Sequence, residues 1–191
     1  MATDSRNKYR ATYIGRTIAG EVLRISMLVR EVDSDGVKFG MQEILVPANK
    51  DDGSYEDALK IVKLQDEGRT AELPYKDMAL TTVLANARRI IRMKDAPDTF
   101  PYKLFAIAVG DFVFVGLPGE PFTEIGNRIC SASPFAEIAI CVLSNAMTTY
   151  FPTGEALRLG GYEAVTSNVG IGTDDTIVNG TSELLHRIKG E

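Results

Sequence analysis

The sequence contains little of what disulfide-rich and metal-binding proteins are usually built from. Its 191 residues include two cysteines, one histidine and no tryptophan. Two cysteines are too few for a disulfide framework, and a zinc hydrolase usually draws two or three imidazole ligands from its own chain. The single histidine therefore excludes a self-contained, histidine-rich metal site. His186 itself is expected to be a structural or surface residue.

Long apolar runs and an excess of positive charge are also missing. No run of 18 apolar residues occurs, which predicts that no helix spans a membrane. The 21 basic residues are outnumbered by 26 acidic ones, so the net charge is −5. Nucleic acid is not an expected partner, because phosphate recognition needs a basic patch. The polar first residues do not resemble a signal peptide, and a cytoplasmic location is expected if the chain is complete.

The hydrophobic pattern changes period along the chain and predicts an α/β fold. The predicted elements are helices over residues 5–32, 54–68 and 75–93, a strand over 37–46, a hairpin over 103–115 around Gly110-Asp111, a short helix from Phe122 to Ile129, a strand over 138–143 and a last amphipathic helix. Residues 1–100 are thus mainly helical with one strand. Residues 101–191 carry sheet strands, loops and closing helices, in a mixed sheet flanked by helices within one partial domain over residues 1–191.

Side-chain environments follow from the same pattern. The two hairpin strands are almost continuously apolar, which predicts a sheet covered on both faces. Cys130 and Cys141 lie on a predicted helix and strand without cysteine or histidine neighbours, so buried structural thiols are expected. Arg88, Arg89 and Arg92 lie near the end of the third predicted helix and indicate a solvated helix end.

Two loops at strand ends carry the candidate site. Glu120 follows the strand that ends at Val115, and Tyr150 follows the next buried strand. Ligands collect where the strands of α/β sheets end, so both loops open on one edge if the two strands are neighbours. The residues alone leave alternatives open, because a carboxylate at a helix N-terminus is often a cap and a loop tyrosine often packs.

Three segments resemble conserved segments of the neutral (non-lysosomal) ceramidase family and its bacterial relatives. They are LPGEPFTEIG at residues 117–126, SNAMTTYFPT at 144–153 and YEAVTS at 162–167, in the family's order and at compatible spacing. The resemblance covers about residues 104–173, and the opening helix is also similar to the family's segment after its second zinc histidine. It implies the C-terminal half of a larger zinc-hydrolase domain.

The resemblance also implies a chemistry, the hydrolysis of the amide of an N-acyl sphingoid base at a zinc ion. In the family, two histidines of the N-terminal half and a glutamate and a tyrosine of the C-terminal half hold the zinc. The glutamate corresponds to Glu120 and the tyrosine to Tyr150. Zinc activates water and polarises the carbonyl, and Tyr162 is the candidate for the tyrosine that stabilises the oxyanion.

The histidine-bearing half of the family domain has no counterpart in this sequence. The chain is therefore expected to bind zinc weakly and to be inactive alone, its partner being the missing N-terminal half or a second chain. A half-domain is also expected to expose an apolar sheet face, such as that of Phe105, Ile107, Phe112 and Phe114, and to associate or form a homo-oligomer through it. The alternative is a non-catalytic α/β binding or scaffolding module, so enzymatic activity is left open.

Overall fold

The structure, a computed structural model, describes residues 3–31, 33–34, 36–50, 54–146 and 149–190, with side chains from Tyr9 onwards. The chain forms two units, one reaching to Asp33 and the other starting at Ser34. That residues 1–191 form one partial domain stays a prediction.

The first unit is one long helix, α1 (Thr3–Ser26). Its apolar side chains recur at the predicted helical spacing, and those described are exposed, from Tyr9 to Ile25. The helix ends at Ser26, earlier than the predicted end near residue 32.

The second unit contains all the strands among the described residues. In chain order its elements are β1 (Val37–Pro47), α2 (Tyr55–Asp66), a 3₁₀ turn (Thr70–Glu72), α3 (Asp77–Met93), β2 (Thr99–Val109), β3 (Phe112–Gly116), β4 (Glu120–Pro121), α4 (Thr123–Ser131), β5 (Glu137–Cys141), β6 (Tyr150–Phe151), α5 (Gly154–Leu159), α6 (Tyr162–Thr166) and α7 (Thr173–Lys189). Helices and a mixed sheet occur together in this unit, which confirms the predicted α/β class.

A four-stranded mixed sheet in the order β1-β2-β3-β5 is the centre of this unit. The first three strands are antiparallel, and β5 runs parallel to β3. The predicted hairpin is confirmed, with Gly110 at φ 57° in the left-handed region that favours glycine. β4 and β6 form a separate two-stranded parallel ladder.

The core lies between one face of the sheet and α7. Leu104, Val113 and Val115 from the sheet share one buried cluster with Ile177 and Leu184 from α7. Glycine lets the two layers approach closely, because a Cβ added at position 180 would lie 2.8 Å from Cγ2 of a β1 isoleucine. A smaller cluster joins α2 to α3.

Within the described residues of the second unit, no element covers the opposite face of the sheet, so the prediction of a sheet covered on both faces is wrong for that unit. Phe39, Ile107 and Phe114 are exposed by 63%, 44% and 44%, while Phe105 and Phe112 are half-buried. These side chains alternate along their strands with the buried ones that face α7. The predicted exposure of an apolar sheet face is confirmed.

Two further predictions concern single residues and the membrane. Cys130 and Cys141 are both exposed thiols, so the expectation of buried cysteines is wrong. Cys130 follows the buried Ile129 on α4 and therefore points away from the core, and Cys141 ends the edge strand β5.

No helix within the described ranges is long and apolar enough to cross a membrane.

Candidate functional site

The two candidate loops open on the same edge of the sheet, as expected if their strands are neighbours. β3 and β5 lie side by side and run parallel, so both strands end at one edge. Backbone pairing continues beyond them, because the Leu117 amide donates to the Cys141 carbonyl at 2.9 Å. The Gly119 amide then donates to the Ala146 carbonyl, also at 2.9 Å. These bonds bring the loop after β5 alongside the loop after β3.

Glu120 and Tyr150 are directly opposite each other in the ladder of β4 and β6. The Glu120 amide donates to the Thr149 carbonyl at 3.0 Å, and the Phe122 amide donates to the Phe151 carbonyl at 3.0 Å. Because paired residues of neighbouring strands project on the same face, the carboxylate and the phenol lie next to each other.

Tyr162 joins this pair from the first residue of α6. Its ring centroid lies 6.0 Å from that of Tyr150, with the planes at 71° in an edge contact. Glu120 and Tyr150 also line a shallow cavity of about 290 Å³, together with residues 121–124 and Glu163. The structure therefore brings together the three residues that sequence similarity selected, Glu120, Tyr150 and Tyr162.

The surroundings of Tyr150 raise the pKa of its phenol. The negative charge of Glu120 raises the pKa of Tyr150 most strongly, followed by partial burial and by the neighbouring Tyr162 and Glu163. Each of these contributions disfavours the phenolate. A cation bound between the two oxygens would act in the opposite direction, because positive charge favours deprotonation.

The oxygen donors fit part of a zinc site. Zinc is held by four ligands, of which a catalytic site draws three from protein. Glu120 offers a carboxylate and Tyr150 a phenol, while His186 lies on α7 and is not among the residues around the cavity. Within the part of the chain that the structure describes, no three histidine, cysteine, aspartate or glutamate side chains could hold a metal ion together. Glu120 and Tyr150 could therefore hold a zinc ion only together with further donors.

A larger cavity of about 440 Å³ lies on the other side of the same ladder. Phe151 and Thr149 line it, and they alternate with Tyr150 along the chain, so they project from the opposite face. Tyr102 also lines it and donates its buried hydroxyl to the Pro118 carbonyl at 2.8 Å. Neither Glu120 nor Tyr150 faces this cavity, which is consequently distinct from the candidate site.

Arg89 is a buried residue that the sequence pattern assigned wrongly. It is 7% exposed and donates to the Asn49 and Val165 carbonyls, each at 2.9 Å. The prediction that these arginines are solvent-exposed is confirmed for Arg88 and Arg92 and is wrong for Arg89. No sequence signal predicts this burial, because the acceptors are backbone carbonyls 40 and 76 residues away.

Comparison with known proteins finds partial matches among solved structures. No protein-family model and no curated protein matches the chain. Among solved structures, a ceramidase complexed with C2 matches with a TM-score of 0.41 and 19% identity, over 49% of this chain and 15% of that chain. The neutral ceramidase from Pseudomonas aeruginosa matches with a TM-score of 0.48 and 14% identity, over 81% of this chain and 29% of that chain. The chain therefore spans less than a third of either structure.

Proposed function

We propose that this chain supplies the oxygen ligands of a zinc amidohydrolase site of the neutral ceramidase type, and that another polypeptide segment supplies the imidazole ligands. The observation that carries the proposal is the pairing of Glu120 with Tyr150 in one ladder, with the Tyr162 ring against Tyr150. Each of the three segments that resemble the family contributes one of these residues. The fold brings the three to one place although up to 42 residues separate them in sequence.

The residues have separate roles in this proposal. A bound zinc ion would lower the pKa of water to about 7 and polarise the amide carbonyl. Glu120 would hold the ion with its carboxylate and Tyr150 with its phenol oxygen, whose proton would go to solvent. Tyr162 would donate a hydroxyl hydrogen bond to the oxygen of the polarised amide carbonyl. The substrate class that the resemblance suggests is a lipid amide, an N-acyl sphingoid base.

Cobalt(II) with added imidazole tests the ligand assignment on the chain as it exists. Cobalt replaces zinc in such sites and gives visible absorption bands that report its coordination. We expect weak binding of cobalt alone, and a band typical of four-coordinate cobalt when free imidazole supplies the nitrogen ligands. The band is expected to disappear in Glu120→Gln and in Tyr150→Phe.

Glu124→Gln is the matched control for this experiment. Glu124 lines the same cavity but is not paired with Tyr150, so its removal should leave the cobalt spectrum unchanged. Equal cobalt binding by the wild-type chain and by Glu120→Gln and Tyr150→Phe would contradict the ligand assignment. Tight, stoichiometric zinc binding without imidazole would contradict the need for outside ligands.

A non-catalytic binding or scaffolding module is the second candidate function. The observation that favours it is the shortage of ligands, since only two of the family's four correspond to residues of this chain. The two functions differ when the chain is co-expressed with a histidine-bearing N-terminal half of a neutral ceramidase. Amide hydrolysis that is lost in Glu120→Gln supports the enzyme, and a stable complex without metal or hydrolysis supports the module.

For the chain produced on its own, we propose that a second copy covers the exposed sheet face. The face presents six large exposed apolar side chains, those of Val37, Phe39, Met41, Leu45, Ile107 and Phe114. Together they offer on the order of several hundred Å² of apolar surface, comparable with the roughly 800 Å² that each partner buries in a standard interface. The area therefore suits a dimer in which two such faces pack together.

A further inference from the structure

A buried serine holds the backbone of Tyr150 by a hydrogen bond. Ser167 is fully buried, and its Oγ donates to the Tyr150 carbonyl at 2.8 Å. The same oxygen accepts from the Val169 amide at 3.2 Å. A serine hydroxyl has a single proton, and the short bond to Tyr150 uses it. The backbone of the candidate ligand is thereby tied to the segment that follows α6.

That segment is in turn attached to the end of β1. Asn49 donates from Nδ2 to the Ser167 carbonyl at 3.0 Å, and its backbone amide donates to the Asn168 carbonyl at 2.8 Å. The Gly170 amide donates to the Pro47 carbonyl at 2.7 Å. The long strand of the main sheet thus holds residues 167–170 in place.

Arg89, on α3, links Asn49 to α6. Its Nη1 donates to the Asn49 carbonyl and its Nε to the Val165 carbonyl, each at 2.9 Å. A third contact joins Nε to Asn86 Oδ1 at 3.0 Å. Val165 belongs to the last turn of α6, the helix that begins with Tyr162. A buried guanidinium is stable only with its donors satisfied, so these bonds define where α6 lies.

We infer that Arg89, Asn49 and Ser167 form a buried clasp that positions Tyr150 and Tyr162 against each other beside Glu120. One end of the clasp holds the Tyr150 backbone and the other holds the helix of Tyr162. The three members are positioning residues, because their side chains bond to the backbone of these segments and act on Tyr150 and Tyr162 through it. The hydrogen bonds alone support the positions of Tyr150 and Tyr162. The importance of those positions for catalysis rests on the proposed function.

Nuclear magnetic resonance tests the clasp without any need for activity. In the wild-type chain, cross-relaxation between the Tyr150 and Tyr162 rings reports their edge contact. Tyr102 and Phe151 give an internal reference, because their ring centroids lie 4.7 Å apart in the adjoining core. In Ser167→Ala and Arg89→Lys we expect the Tyr150–Tyr162 cross-peaks to be lost and the Tyr102–Phe151 cross-peaks to remain. Lysine cannot reproduce the planar fork that reaches two carbonyls.

Asn49→Ala provides a milder variant, since Asn49 is half-buried and the substitution removes only its side-chain bond to Ser167. Ser131→Ala is the matched control, because Ser131 also donates to a backbone carbonyl but lies on α4, outside the clasp. Persistence of the tyrosine cross-peaks in all three clasp variants would overturn the inference. So would a joint loss of both sets of cross-peaks in every clasp variant, which indicates a general structural role. Failure to bind cobalt with imidazole would contradict the proposed function and leave the cross-peak result unaffected.

Discussion

At the scale of single residues, Tyr150 is a side chain whose pKa depends on a neighbour. Glu120 contributes most to its raised pKa, through an unfavourable interaction between two negative charges. Replacing Glu120 with glutamine removes that charge and makes the phenolate less unfavourable. We therefore expect the pKa of Tyr150 to fall in Glu120→Gln, measured by ultraviolet difference titration against Tyr150→Phe in the same background.

Glu163→Gln is the control for this titration. Glu163 also raises the pKa of Tyr150, but its contribution ranks below those of Glu120, burial and Tyr162. The fall of the pKa should accordingly be smaller in Glu163→Gln than in Glu120→Gln. An equal fall in both variants, or a rise in Glu120→Gln, would be incompatible with the paired arrangement of Glu120 and Tyr150.

The sequence predicts where Glu120 and Tyr150 lie but not how they pair. The rule that ligands collect at strand ends points to Glu120 and Tyr150, because each follows a clearly apolar strand. Their direct pairing is not predictable from the rule, since it depends on the backbone bond between Gly119 and Ala146 beyond the ends of the strands. The burial of Arg89 is unpredictable for a similar reason, because its acceptors are carbonyl groups on distant segments.

At the scale of elements, the contact between α7 and the sheet depends on a glycine. A Cβ at Gly180 would lie 2.8 Å from Ile44 Cγ2 and 3.2 Å from Leu104 Cδ1. Overpacking of this kind costs about 1–3 kcal/mol, which exceeds the helix-propensity gain of up to about 1 kcal/mol from glycine to alanine. We expect Gly180→Ala to lower the free energy of unfolding by up to about 2 kcal/mol in urea denaturation.

Gly126→Ala is the matched control on α4. The nearest atom to an added Cβ there is Ile140 Cγ1 at 3.9 Å, an ordinary contact distance. The same substitution should therefore be neutral or stabilising by up to about 1 kcal/mol. If Gly180→Ala proved as stable as Gly126→Ala, the close approach of α7 to β1 and β2 would be wrong.

Strong periodicity explains which elements are predictable. The repeat of apolar residues predicts α1 and α7, and Gly110-Asp111 predicts the hairpin. The strand predicted over residues 138–143 ends earlier, at Cys141, because Leu143 adopts a left-handed φ of 56°. β2 begins at Thr99, before its predicted start. β3 pairs only with residues 105–109, so the first part of β2 pairs with β1 alone. Pro101 is tolerated there because an edge position leaves its missing N–H without consequence for a second neighbouring strand.

At the scale of the whole molecule, the uncovered sheet face is the feature on which the proposed dimer rests. Its central row crosses all four strands through Phe39, Ile107, Phe114 and Ala139, which are successive cross-strand partners. Soluble monomers rarely expose an apolar patch larger than a few hundred Å². Two such faces could pack about 10 Å apart with their strands within about 30°, as sheets do in sandwiches.

This packing predicts that a charge at the centre of the face separates the two copies. Ile107→Glu should convert a dimer into a monomer in sedimentation velocity at micromolar concentration, because each interface would then bury two unpaired carboxylates. The fold should be retained, since Ile107 is already 44% exposed. Leu159→Glu, at an exposed leucine on α5 outside this face, should leave the dimer intact. A wild-type chain that stays monomeric would show that the face needs a different partner, and a dimer that survives Ile107→Glu would show that the copies meet through another surface.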